Sequence, residues 1–137
     1  MTTKIFVNLA VKNLPGSIEF FKNLGFTFNP QFTDETAACM VISNDIYAML
    51  LTEKKFKEFT KKEIADATKI TEVLTALAVD SKDQVNRIVD TALAAGATEA
   101  REPMDYGFMF GRSFNDLDGH IWEIIWMDPS HVKGERH

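Results

Sequence analysis

The chain has 137 residues, enough for one compact domain, and 45% of them are hydrophobic, an ordinary share for a folded protein with a core. A formal net charge of −5 argues against a surface built for nucleic acid, which needs a basic excess to displace counterions. No apolar run approaches the roughly 20 residues of a membrane span, and Cys39, the single cysteine, permits no intrachain disulfide.

From Lys4 to Val11 the β-branched and aromatic residues around Asn8 predict a strand. Asn13 can cap the helix that follows, and Pro15 lies in its first turn, where a missing N–H costs little. Ile18, Phe21 and Leu24 recur at helical spacing, and Gly25 can take the left-handed closing conformation. Strands are then expected over Thr27–Phe32, Ala37–Ile42 and Ile46–Leu51, with Ser43-Asn44-Asp45 as the turn between the last two.

The segment from Glu53 to Lys69 carries Lys54, Lys55, Lys57, Lys61 and Lys62 with Phe56 and Phe59 interleaved. It reads as a helical segment with a solvated basic face. A sharper reading makes it a lid that brings Phe56 or Phe59 over a pocket mouth and a Lys toward an anionic ligand.

Beyond it the plan repeats. Leu77-Ala78-Val79 lies 68 residues after Leu9-Ala10-Val11, and each copy ends a strand and opens a helix. Leu74–Val79 is the strand. Ser81 with Gln84 forms a capping box, Val85, Ile88, Val89, Ala92 and Leu93 form the apolar stripe, and Gly96 closes the helix. Strands are expected over Thr98–Glu102, Phe108–Phe114 and His120–Met127, with Asn115-Asp116-Leu117-Asp118-Gly119 as the last turn. The order is βαβββ, used twice. The polar tail from Asp128 to His137 is expected to be loose.

The run Gly111-Arg112-Ser113-Phe114-Asn115-Asp116-Leu117-Asp118-Gly119-His120-Ile121-Trp122-Glu123-Ile124 resembles the final hairpin of the vicinal oxygen chelate superfamily. That superfamily contains glyoxalase I, bleomycin-resistance proteins and extradiol dioxygenases. The helix ending in Phe20-Phe21-Lys22-Asn23-Leu24-Gly25-Phe26 resembles the family's first-helix signature. The likeness runs from Ile5 to about Pro129 and is closest to small bacterial glyoxalase-related proteins. It implies an α+β fold of two βαβββ modules forming an open, cupped mixed sheet, within a single domain over 1–137. Module one spans about 4–52, the linker about 53–70 and module two about 71–128. It also implies a homodimer, because family members commonly pair by edge contacts or module exchange.

In metal-dependent members one divalent ion is held by side chains on the first and last strands of each module. The matching positions here are Asn8, Met49, Ala76 and Glu123. Only Glu123 is a good ligand for a hard or borderline cation, so no bound metal and no other cofactor is expected.

If Asn8 and Glu123 face the cup, strand alternation brings Phe6 beside Asn8, Tyr47 beside Met49, and Ile121 beside Glu123. Arg112 on the adjacent strand is a candidate ion-pair partner of Glu123 and, with Phe6, Asn8, Tyr47, Met49 and Ile121, a candidate ligand-binding residue, and Tyr106 is a candidate hydroxyl donor at the rim. Trp122, Ile124 and Trp126 fall on the opposite face and are expected to pack beneath a helix. Cys39 reads as a buried, inert thiol.

An apolar cup with few polar anchors suits a small molecule. The 11 Phe and the missing metal ligands favour a binding protein for an aromatic or amphipathic compound, similar to the bleomycin-resistance branch. The alternative is an enzyme, a lyase or isomerase of the lactoylglutathione-lyase type. Glu123 would be its general base, with Asn8 or Tyr47 steadying an oxyanion. The lone cysteine and an opening Met1-Thr2-Thr3-Lys4 without a signal-like apolar stretch point to the cytoplasm, with no membrane partner.

Overall fold

The computed structural model describes residues 3–133; His137 and the rest of the extreme tail lie outside them. The chain divides into two compact units, residues 1–66 and 67–137.

In the first unit, β1 (Ile5–Val11) leads through Asn13 into α1 (Leu14–Asn23), and β2 (Thr27–Asn29), β3 (Ala37–Val41) and β4 (Ile46–Thr52) follow. The Asn13 side chain accepts from Gly16 N–H at 3.0 Å, satisfying one of the orphan donors of the first turn. The sheet order is β1-β4-β3-β2, with β1 parallel to β4 and the other pairs antiparallel. Ala38, Met40, Ala48 and Leu50 are fully buried on one face, with Leu14, Phe20, Phe21 and Leu24 of the α1 region completing the core. The strand expected over Thr27–Phe32 stops at Asn29. Pro30 has no N–H for the ladder, and Pro30–Phe32 forms a 3-10 turn capped by the Asn29 side chain.

The Lys-rich segment is helical only over α2 (Glu53–Phe56) and a 3-10 turn at Lys57–Phe59. Phe59 is 70% exposed, with the Lys55 ammonium 5.7 Å from its ring centre.

The second unit repeats the plan with an insertion. It holds β5 (Leu74–Ala78), α3 (Lys82–Ala94), β6 (Thr98–Glu99), β7 (Met104–Asp105), β8 (Met109–Asn115) and β9 (Ile121–Met127), then the short α4 (Pro129–Lys133). Ser81 caps α3 by accepting from Gln84 N–H, while the Gln84 side chain reaches back to Asp80 N–H. The order is β5-β9-β8-β6, with β5 parallel to β9 and β7 also pairing with β8. The strand expected over Thr98–Glu102 forms only over Thr98–Glu99, and after an irregular stretch through Pro103 a second short strand, β7, pairs beyond it. Trp122 and Ile124 are buried on the face that meets Val85, Ile88, Val89 and Ala92 of α3. Trp126 shares that face but is only half-buried, and its ring lies 5.4 Å from the Lys82 ammonium at the start of α3.

Candidate functional site

Each sheet has one face under its helix and one face opposite, and register sorts Phe6, Asn8, Tyr47, Met49, Ile121 and Glu123 onto the opposite faces, whereas Arg112 and Tyr106 lie elsewhere. In the first unit, Phe6 pairs with Tyr47 and Asn8 with Met49 across the parallel strands β1 and β4. Cys39 pairs with Met49 across β3 and β4, which sets it on the same face. Phe6 stacks on Tyr47 with centroids 4.6 Å apart and planes within 10°. The Tyr47 hydroxyl donates to Asn44 O at 2.6 Å, and Asn8 Nδ2 donates to Phe6 O at 3.2 Å. Cys39 is 1% exposed, and burial pushes its thiol up, away from the reactive thiolate.

In the second unit, Ala76 pairs with Glu123 across β5 and β9, and Leu74 with Ile121. Across β8 and β9, Ser113 stands opposite Glu123 and Gly111 opposite Ile125. This face therefore carries one carboxylate among small and apolar side chains. The Glu123 side chain is 17% exposed and its Oε2 accepts from Arg101 Nη2 at 3.0 Å and Nε at 3.3 Å.

The expected Glu123–Arg112 pair is not formed. Arg112 stands opposite Ile124, so alternation turns it to the helix side, where Nη1 donates to Asn86 and Asp90 of α3 at 2.9 Å each. Arg101 was missed because it lies in the irregular stretch after β6, where no period assigns a face. What brings it in is the chain path. Ala100 N–H donates to Ser113 O, so the backbone entering Arg101 runs beside β8 and the side chain spans that strand to reach Glu123. Tyr106 sits 61% exposed on the β7–β8 loop, its hydroxyl 3.7 Å from Met104 Sδ.

The turn between β8 and β9 is a separate polar construction. Asp116 is 7% exposed; its Oδ1 accepts from Asp118 and His120 N–H and its Oδ2 from Trp122 Nε1 at 2.9 Å. Burial pushes its carboxyl above the usual range, although these donors and the nearby His120 oppose the shift. An open cavity of 290 Å³ lies at this turn, between Thr68, Thr98, Asn115 and Gly119. Apart from the hydrogen-bonded Asp116, its lining is neutral, so it offers no reactive group.

The four positions matching the family's metal ligands are a mutual pair in each unit, Asn8 with Met49 and Ala76 with Glu123. One amide, one thioether, one methyl and one carboxylate do not make a donor set for a divalent ion. Among the described residues no group of three or more His, Cys, Asp or Glu side chains converges elsewhere.

Two open mixed sheets, each with its helix on one face and built on the same strand order, define the paired-module α+β class. Within that class the chain belongs to the Glyoxalase/Bleomycin resistance protein/Dioxygenase superfamily, whose profile matches residues 5–124. It is similar to a hypothetical protein from S. aureus of known structure, with 29% identity, TM-score 0.76, and coverage of 92% of this chain and 95% of that one. A glyoxalase/bleomycin resistance protein/dioxygenase family enzyme from Burkholderia phytofirmans superposes with TM-score 0.75 at 16% identity, covering 92% and 99% of the two chains. The fosfomycin resistance protein FosX from Mesorhizobium loti shares the fold at 12% identity, TM-score 0.68, with 97% and 98% covered. No curated protein matches the sequence significantly.

Proposed function

We propose that this protein binds a small aromatic or amphipathic molecule and does so without a catalytic metal. The observation that carries the reading is the open face of the second sheet. It sets a single ion pair, Arg101–Glu123, among Ala76, Ile121 and Ile125. An apolar wall with few, oriented polar anchors is the usual composition of a small-molecule site. The Phe6–Tyr47 stack, with Asn8 and Met49 beside it, gives the first sheet an aromatic platform of its own. Arg112 is left out of this set because it is spent on α3.

The metal-free part of the proposal rests on the donor chemistry at Asn8, Met49, Ala76 and Glu123. We further propose one functional domain over residues 1–137, cytoplasmic, acting as a homodimer. For the last, β1 and β5 each stand at the edge of their own sheet and expose Ile5, Phe6 and Leu74. Among the described residues no helix is long and apolar enough to cross a membrane.

A lyase or isomerase comes second. Arg101 engages only Oε2 of Glu123, which leaves Oε1 to take a proton from a carbon beside a carbonyl.

The test is a thermal-shift screen of small aromatic molecules and divalent metals, run beside elemental analysis of the purified protein. The expected result is stabilisation by aromatic compounds, since a ligand that binds only the folded state raises the melting temperature, and metal content well below one equivalent. One equivalent of metal whose removal lowers the melting temperature, and which Glu123→Gln abolishes, would overturn the reading. Turnover of a glutathione hemithioacetal lost in Glu123→Gln would move the assignment to the enzymatic alternative.

A further inference from the structure

The hydroxyl of Ser113 is buried without a hydrogen-bond partner, although the residue is only 1% exposed. Most buried hydroxyls are paired, and an orphan is destabilising, so an unpaired one calls for a reason. Its position supplies one. Ser113 stands directly opposite Glu123 on β9, and the Arg101 side chain spans its strand to hold that same carboxylate. A spare donor therefore lies beside a carboxylate that is presently held by something else.

Arg101 is the more exposed half of the pair, its side chain 40% exposed against 17% for that of Glu123. Both of its hydrogen bonds converge on one oxygen, so the planar fork that suits a bidentate carboxylate is only partly used. The arginine side of the pair is open to water, where an incoming anion can reach it. A second anion can compete for the arginine once Glu123, which is only 17% exposed, has another donor to turn to.

Resting on the small-molecule reading above, we propose that Arg101 and Glu123 form a latch for a small organic carboxylate. The ligand's carboxylate takes the Arg101 fork. Glu123, displaced, turns to the Ser113 hydroxyl, which donates to it. The apolar part of the ligand lies against Ile121 and Ile125, on the same face. The ligand class is thus a small apolar acid, and its neutral amide, which cannot claim the arginine, binds without opening the latch. The exchange conserves charge on the protein. One guanidinium changes its carboxylate, and one carboxylate changes its donor.

The experiment uses calorimetry on the full chain with benzoate, phenylacetate and indole acetate, each paired with its neutral amide. It is read together with the side-chain Nε–H resonance of Arg101. In the wild type the acids bind at least tenfold more tightly than the amides, and they shift that resonance. Arg101→Met, whose folding is checked by its melting temperature, removes the difference between acid and amide. Glu123→Gln takes away the competitor and strengthens acid binding several-fold with the amides unchanged. Ser113→Ala weakens acid binding several-fold with the amides again unchanged. Equal affinity for acids and amides in the wild type, or weaker acid binding in Glu123→Gln, overturns the latch while leaving the small-molecule reading in place. Binding of neither series overturns both.

Discussion

The two units share one plan, and two of their differences bear on function, the last hairpin turn and the open face. In the first unit the β3–β4 turn at Ser43–Asp45 is held by local, exposed contacts. Ser43 Oγ accepts from Asp45 N–H, and Lys4 pairs with Asp45 at the surface. In the second unit the equivalent turn buries a carboxylate with three donors and ties it to the largest core side chain, Trp122. The open faces differ in the same sense. That of the first unit carries a neutral aromatic stack, that of the second an ion pair. A repeated topology supplies the scaffold twice, and the polar chemistry is concentrated in one copy. Fold alone does not fix function; here the same fold within one chain carries two different surfaces.

The contrast between the turns is broken most severely at Gly119. Its φ is +93°, in the left-handed region, and a Cβ there would sit 2.7 Å from Ala67 O. Left-handed backbone costs a residue with a side chain about 1–2 kcal/mol, and here backbone as well would have to move. Gly119→Ala is expected to lose about 3 kcal/mol or more in chemical denaturation, the range reserved for named core or backbone conflicts. Asp45→Ala, in the corresponding turn of the first unit, loses only a surface ion pair and is expected to change stability by about 0.5 kcal/mol. Equal losses would mean that the second turn is no more committed than the first.

Next in size is Asp116→Asn. The amide offers one acceptor oxygen where the carboxylate satisfies three donors, and its NH₂ faces them. A loss of about 1–3 kcal/mol follows from leaving a buried donor unpaired. The pH dependence sharpens the case. Because the folded carboxyl is raised above its usual value by burial, the folded state binds this proton more readily than the unfolded chain. The contribution of Asp116 is therefore fullest below the unfolded pKa and declines as pH rises through the raised folded one. The stability difference between wild type and Asp116→Asn should shrink as pH rises from the acid side towards neutrality, in denaturant melts across that window. Asp34 in the first unit behaves oppositely. The Thr36 N–H and hydroxyl and the Ala37 N–H hold its carboxyl down, so its contribution is present above the unfolded pKa and is lost as pH falls through the depressed value.

Most of the fold was legible because its signals are local. Asn13, Ser81, Gly25 and Gly96 mark helix ends by capping chemistry, and the repeat offset of 68 carries one unit's order onto the other. Strand alternation also placed Phe6, Asn8, Tyr47 and Met49 together, and Glu123 with Ile121, as the registers have them. The same rule, applied one step further, would have rejected Arg112. In a hairpin whose register sets Ser113 opposite Glu123, its neighbour Arg112 must face the other way. What could not be read was Arg101. Its approach to Glu123 depends on a broken strand around Pro103 and on a bridge across β8, and neither leaves a periodic trace. Trp126 was half right, since parity gives the face but not how far α3 reaches along it.

The smallest expected effect separates the two arginines of the second unit. Arg112 lies on the helix side, 13% exposed, with its Nε buried and without a partner, and its ionic partner Asp90 is 66% exposed. Arg112→Met removes a cation whose desolvation is poorly repaid, while the methionine stem can fill the same space beneath α3. Asp90, left behind, remains in water and incurs no burial penalty. The gain and the loss offset, because replacing a buried ion with an apolar side chain of similar size is often close to neutral. We expect stability within about 1 kcal/mol of wild type by denaturant melts, and unchanged affinity for acids and amides alike. Arg101→Met is expected to cost more stability, because the carboxylate it leaves unpaired, Glu123, is only 17% exposed and lies among apolar side chains, and it is expected to abolish the preference for acids. If Arg112→Met reduced acid binding as Arg101→Met does, the two faces of the sheet would not be functionally distinct. The comparison between a structural arginine and a ligand-facing one would then fail.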